Sequence, residues 1–333
     1  MSSDASVRLL HQMKRIRFVE ETIAQRYDEG HMRCPTHLSV GQEAVAAATG
    51  LALRTDDLAV SGHRAHAHYL GKGGDLQAMI AEIYGKATGC AGGKGGSMHL
   101  IDEAAGFKGS TAIVGGTVPL GVGFAYAIKL RGGDQISCIF HGDAVVEAGV
   151  FFESVNFAVL KRLPALFVCE NNLYSVYSPL AVRQPPGREI HEMVAGLGLP
   201  ARRVDGNDAL AVFETVRAAT SRVRAGEGPE FLEFSTYRWR EHCGPLYDND
   251  LGYRSRQEFE AWKAKEPIGR LEELLLKDGS LTRGDLRRMG QEIASETEAA
   301  FAFAESSPFP EAEAARAGVY RTRVGPQTGA SGD

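Results

Sequence analysis

Apolar residues recur at three- and four-residue steps over 7–29, with Leu9, Met13, Ile16, Val19, Ile23 and Tyr27 on one stripe and Gly30 behind them. That spacing predicts an amphipathic helix stopped by glycine. An alanine-rich stretch predicts a second helix over 41–53, and a short apolar strand over 58–61 follows Thr55-Asp56-Asp57. Residues 76–84 read as helical. The segment 85–97, GKATGCAGGKGGS, is too glycine-rich for the interior of a helix or strand, and reads as a loop that runs close to another group.

The centre of the chain alternates between two periods. Small and apolar residues over 118–130 predict a helix, 135–140 a buried strand, 149–160 a helix, and 165–169 a second continuous apolar strand. A strand near 203–204, a helix over 209–225 and a strand over 230–236 follow, then peripheral helices over 255–265 and 282–304. Apolar strands alternating with helices predict an α/β fold, a doubly wound and mostly parallel sheet with helices on both faces. Residues 1–318 read as one domain, and the polar, glycine-rich end 319–333 as a flexible tail.

Composition narrows the classes. The chain has 333 residues, 24% charged and 44% hydrophobic, with a net charge of -5. That balance carries no electrostatic footprint for nucleic acid or an anionic membrane. No run reaches the ~18 apolar residues of a membrane span, and MSSDASVRLLHQMKRIRFVEE lacks the apolar core of a signal peptide. Cys34, Cys90, Cys138, Cys169 and Cys243 form no C-x-x-C pair, which argues for a reducing compartment. A cytoplasmic protein is expected.

The sharpest chemistry lies where two successive strands end, at His141-Gly142-Asp143 and at Glu170-Asn171-Asn172. Asp143 and Asn172 are 29 positions apart, about one strand-helix-strand unit. A right-handed crossover puts both carboxyl ends on one sheet edge, where ligands of open α/β sheets bind. A carboxylate and an amide oxygen are hard donors suited to Mg²⁺, with a backbone carbonyl after Asn172 to complete the shell. Gly142 lets the backbone turn sharply and approach a phosphate. The competing reading is that Gly-Asp and Asn-Asn merely turn the chain.

The stretch HGDAVVEAGVFFESVNFAVLKRLPALFVCENNLYSVYSP resembles the thiamine-diphosphate motif of alpha subunits of 2-oxo acid and acetoin dehydrogenases, and the resemblance extends over about 8–320. It implies thiamine diphosphate and Mg²⁺ as cofactors, with Asp143, Asn172 and the carbonyl of Tyr174 on the metal. Ala144 stands where the motif has its second glycine, and an added methyl is expected to crowd the diphosphate or to demand a different φ. GHRAHAHYL at 62–70 resembles the family's Tyr-Arg-x-His segment: Arg64 would grip the diphosphate, His63 replaces a phosphate-contacting tyrosine, and His66 would sit near the cofactor. His63, His66 and His68 read alternatively as a metal cluster or as loop decoration. GCAGGKGGSMHL at 89–100 resembles a segment at the active-site mouth and puts His99 near the reacting centre; the alternative is a flexible surface loop. In STAIVGGTVPLGVG at 110–123, Ile113, Val114 and Gly115 would meet the aminopyrimidine through backbone groups.

TYRWREHCGP at 236–245 resembles the loop in which Arg238 would reach the diphosphate and His242 would assist acyl transfer. Cys243 stands where some relatives carry a phosphorylated serine, and beside His242 it reads alternatively as a nucleophilic thiol. The resemblance implies catalytic roles for His242, His66 and His99, a small-molecule substrate, a beta subunit completing an α2β2 assembly, and a lipoyl-bearing acyltransferase core. Two other functions stay open: a split transketolase-like or acyloin-forming transferase, and a non-catalytic dinucleotide-binding subunit. The second lacks a G-x-G-x-x-G between strand and helix.

Overall fold

The computed structural model describes residues 3–32 and 34–318; the tail expected over 319–333 lies outside them. Eight strands are described: β1 Leu58–Ser61, β2 Phe107–Ser110, β3 Ser137–Gly142, β4 Ala165–Asn171, β5 Tyr174–Ser175, β6 Ser178–Pro179, β7 Ala201–Asp205 and β8 Glu230–Ser235. Six form one parallel sheet in the order β2-β1-β3-β4-β8-β7; β5 and β6 make a separate antiparallel hairpin. The doubly wound α/β architecture is thus present.

Strand pleating divides the core into two. On one face Ala59, Cys138, Phe140, Leu166, Val168, Leu232 and Phe234 pack with the helices Ser3–Arg26, Glu43–Ala52 and Ala209–Arg224. On the other, Val60, Ile139, Ala165, Phe167, Cys169 and Phe231 pack with Thr117–Leu130 and Gly149–Leu160. Neighbours along each strand alternate between the two cores, as a period of two requires. A strand covered on both faces reads as a continuous apolar run, which is why β4 is buried from end to end. Among the described residues no helix is long and apolar enough to cross a membrane.

The connection from β3 through Gly149–Leu160 to β4 fixes the site. β3 and β4 pair directly, with His141 opposite Cys169 and Gly142 opposite Glu170. Both carboxyl ends therefore reach the same edge. The helix expected over 7–29 ends at Arg26, continues as a 3₁₀ turn, and stops at Gly30 with φ 75°. Strand β2, the helices His66–Gly71 and Pro267–Lys277, and the β5–β6 hairpin are additions to the elements expected from the sequence.

Candidate functional site

A cavity opens at the carboxyl edge of β1, β3 and β4. Its lining includes His63 and Arg64 after β1, Gly142 at the end of β3 with Asp143 and Ala144 after it, and Asn172 and Tyr174 after β4. Val114 and Gly115 from the loop before Thr117–Leu130 close one side, and His242 another.

Asp143 is buried and its carboxylate already holds a cation, the guanidinium of Arg183, which also pairs with Glu147. Burial pushes the Asp143 carboxyl above the usual range, and the ion pair with Arg183 pulls it back. Asn172 donates its amide N–H to Gln42 Oε1 at 3.2 Å, and Gln42 donates to Glu170 Oε2 at 3.3 Å. Gln42 thus orients the Asn172 amide, whose oxygen accepts from the Tyr174 backbone N–H at 3.2 Å. Leu173 and Val176, at φ 74° and 54°, bracket the β5 residues. Left-handed backbone in an apolar residue costs about 1–3 kcal/mol, so the turn that sets Tyr174 is over-determined by its surroundings. The Tyr174 hydroxyl donates to Glu258 at 2.8 Å.

The donors suit the metal and diphosphate: a carboxylate that accepts a cation, an oriented amide oxygen, and a turn carbonyl in reach of the same edge. Gly142 has φ -83° and ψ 171°, and a Cβ there would meet no protein atom within 4 Å. Its glycine is not needed for a sharp turn, contrary to expectation. Ala144 lies in the 3₁₀ turn Asp143–Glu147, and its φ is not positive. The different φ expected from the extra methyl is therefore not imposed.

Arg64 is buried. It donates to the carbonyls of Leu38 (2.6 Å) and His242 (3.1 Å), and burial followed by the charge of Arg238 pulls it down to about 10. His242 is pulled down to about 3 and His63 to about 4, by burial first and then by Arg64. His37 joins them, lowered to about 2 for the same reasons.

Not every expected residue reaches the cavity. His66 is fully buried away from its lining, with Nδ1 on Glu20 (3.0 Å) and Nε2 on Ser97 (2.7 Å). Both of its ring nitrogens are engaged by these neighbours. Arg238 is also outside the lining: it donates to the carbonyls of Arg240 and Val176 and to the Tyr253 hydroxyl, and pairs with Asp248. Its guanidinium braces the 236–245 loop against Val176 and Tyr253. His99 is exposed, with Nδ1 on the Gly95 carbonyl at 3.0 Å. Ile113 is 71% exposed and outside the lining, whereas Val114 and Gly115 line it.

His37, Gln42 and Arg183 are additions to the expected site, and His68 and Glu170, present in the motifs without an assigned role, line it as well. His68 shares a hydrogen bond with Ser61 Oγ at 2.8 Å and stacks on Phe140. Its proximity to Arg64 in the chain was visible; the pairing with Glu170, 3.2 Å away, needs the fold.

This fold and donor set define an α/β protein that takes an anionic, metal-tethered cofactor at the carboxyl edge of its sheet. The chain matches the dehydrogenase E1 component family over residues 11–313. It is 34% identical over 305 residues to pyruvate dehydrogenase E1 component subunit alpha of Rickettsia bellii, covering 92% of each chain. It is 38% identical over 298 residues to the protein of that name from Porphyra purpurea, covering 87% of this chain and 86% of the relative. The chain belongs to the dehydrogenase E1 component family. It is a thiamine-diphosphate- and divalent-metal-dependent enzyme of the 2-oxo acid dehydrogenase class, of the alpha-subunit type, and an alpha subunit works with a beta-type partner.

Proposed function

We propose that this chain is the alpha subunit of a pyruvate-type 2-oxo acid dehydrogenase, assembled as α2β2 in the cytoplasm and passing its acyl product to a lipoyl-bearing acyltransferase core. The observation that carries this reading is the meeting of Asp143 and Asn172 at the ends of two adjacent parallel strands, beside Arg64. The pyruvate assignment follows the names of the relatives.

When bound, thiamine diphosphate supplies the electron sink for cleavage beside a 2-oxo carbonyl. Asp143, Asn172 and the Tyr174 carbonyl would hold Mg²⁺, a hard cation suited to these oxygen donors. Arg64 and His63 would hold the diphosphate, and Gly142 and Ala144 would let the backbone come close. Val114, Gly115 and Ile113 meet the aminopyrimidine through backbone groups. Apolar Ile113 and Val114 stand exposed at the cavity mouth, which favours a beta subunit closing it. His242 handles the proton in acyl transfer. An anion on Arg64 removes one charge that holds this ring neutral and moves it toward the range where imidazole exchanges protons. His99 acts at the rim. His66 serves as a positioning residue through Ser97 and Glu20.

The test is calorimetric titration of the chain plus its beta-type partner with thiamine diphosphate and Mg²⁺, followed by pyruvate-dependent acetylation of a lipoyl domain. Metal-dependent binding that Asp143→Ala weakens by roughly a hundredfold, together with acetylation, is expected. Ketol formation without lipoyl acetylation would replace this reading by the acyloin-forming transferase, which the unusual Arg240-Glu241-His242-Cys243 loop favours. No cofactor binding at all would sink both.

A further inference from the structure

Three imidazoles meet in the cavity from three separate loops. His37 comes from the segment between Ser3–Arg26 and Glu43–Ala52, His63 from just after β1, and His242 from the loop after β8. Ring centroids lie 4.5 Å apart for His37 and His63, 5.0 Å for His37 and His242, and 5.4 Å for His63 and His242, all edge to face. One ring nitrogen of each lies within 4.8 Å of those of the other two. Among the described residues no hydrogen bond joins the rings to one another. His37 is only 7% exposed, and its Nδ1 is buried without a hydrogen-bond partner. Leaving such a nitrogen buried and unpartnered is unfavourable, and a ligand to it would recover that cost.

We propose that His37, His63 and His242 form a binding site for a divalent transition-metal ion, separate from the oxygen-donor site at Asp143. Imidazole selects Zn²⁺, Co²⁺ or Ni²⁺, while carboxylate, amide and carbonyl oxygens select Mg²⁺, so one cavity holds two seats of different taste. Zinc–nitrogen bonds of ~2.0–2.1 Å put tetrahedral ligand atoms roughly 3.3 Å apart. The nitrogens therefore need to close by at most about 1.5 Å, within the reach of side-chain rotation for His63 and His242, which are only partly buried and sit in loops. Three nitrogens leave the fourth position open to the cavity, the arrangement of an open metal site rather than a closed structural one. Arg64, which donates to the His242 carbonyl, opposes a cation here and limits the affinity. Occupancy ties up the His242 ring, so an ion held there blocks proton transfer by that residue.

The experiment titrates the full chain with Co²⁺ under saturating Mg²⁺ and follows the visible d–d absorption of a nitrogen-ligated ion, with Zn²⁺ as competitor. One Co²⁺ per chain is expected, displaced by Zn²⁺, with a Kd of roughly micromolar or below. His63→Phe keeps an aromatic ring and removes one ligand; it should weaken binding by roughly a hundredfold or more. Asp143→Asn should leave Co²⁺ affinity within about twofold, because it touches only the other seat. If circular dichroism shows that His63→Phe does not fold, His242→Asn takes its place with the same expectation. Unchanged affinity in whichever histidine variant folds, or loss of the band in Asp143→Asn, overturns the proposal.

Discussion

Ala144 shows how a motif departure is weighed at the scale of one residue. Its position in the family pattern belongs to glycine, yet the only non-glycine residues at positive φ among those described are Arg162, Leu173 and Val176. The backbone here asks nothing of glycine, so Ala144→Gly should change thiamine-diphosphate affinity by less than about threefold while lowering stability by about 0.5–1 kcal/mol through added chain freedom. Calorimetry and urea denaturation check the two halves. A tenfold gain in affinity would show that the methyl crowds the diphosphate after all. Asp143, Asn172 and Arg64 could be read from the sequence because each sits in a short local pattern. His37 and Gln42 could not: nothing near positions 37 or 42 announces chemistry, and only the fold brings them to residues 63, 172 and 242. The hydrogen-bond partners of Arg238 and His66 were not legible for the converse reason. A motif gives proximity along the chain, and burial then decides which polar atoms are already used.

Among the elements, the glycine-rich stretch is the most instructive. Composition marks it as a loop but cannot say what holds it. Glu82, fully buried at the end of the Leu76–Ile83 helix, accepts from the backbone N–H groups of Ala91 and Gly93 at 2.8 Å, Gly95 at 2.6 Å and Gly96 at 3.2 Å. A Cβ at Gly89 would come within 2.6 Å of the Glu82 Cα, so glycine is needed there for close approach. One carboxylate organises four amides, which contradicts a freely flexible surface loop. Glu82→Gln turns one acceptor oxygen into a donor facing two of those amides. With charged hydrogen bonds worth about 1.5–3 kcal/mol each, a loss on the order of 3 kcal/mol and faster proteolysis within 89–97 are expected. Limited digestion followed by mass spectrometry tests this, and unchanged protection would mean that the glycines hold their own conformation. The long helices and apolar strands were legible because their periods are strong. Strand β2 was not, because FKGS is a short edge strand whose Gly109 sits at φ 142°. His66–Gly71 spans six residues, too few to show a helical period.

At the scale of the molecule, the cavity that joins β1, β3 and β4 gathers imidazoles that folding keeps neutral, and this couples the site to acid stability. His141 is 4% exposed; burial first, against a hydrogen bond from Nδ1 to the Gly142 carbonyl, pulls it down to about 4 from 6.5. The unfolded chain takes up that proton near pH 6.5, whereas the folded chain resists it until about pH 4. The stability contributed is therefore complete above 6.5, is lost as pH falls between those two values, and changes no further below the lower one. At 1.36 kcal/mol per pH unit, His141 alone accounts for about 3 kcal/mol. His37, His63 and His242, lowered by burial first, act in the same direction. Asp143, whose carboxyl burial raises, opposes them only at the acid end. Urea midpoints of the metal-free chain should thus fall steadily from pH 6.5 to 4. His141→Asn keeps a donor for the Gly142 carbonyl and has no imidazole to titrate, so its midpoint should start lower at pH 7 but decline less steeply through the same window. Parallel slopes for the two proteins would place the acid sensitivity in the other three rings. A flat profile for the parent chain would mean that the cavity admits enough water to leave its histidines unshifted, and would remove burial as the reason they stand ready for an anion or a metal.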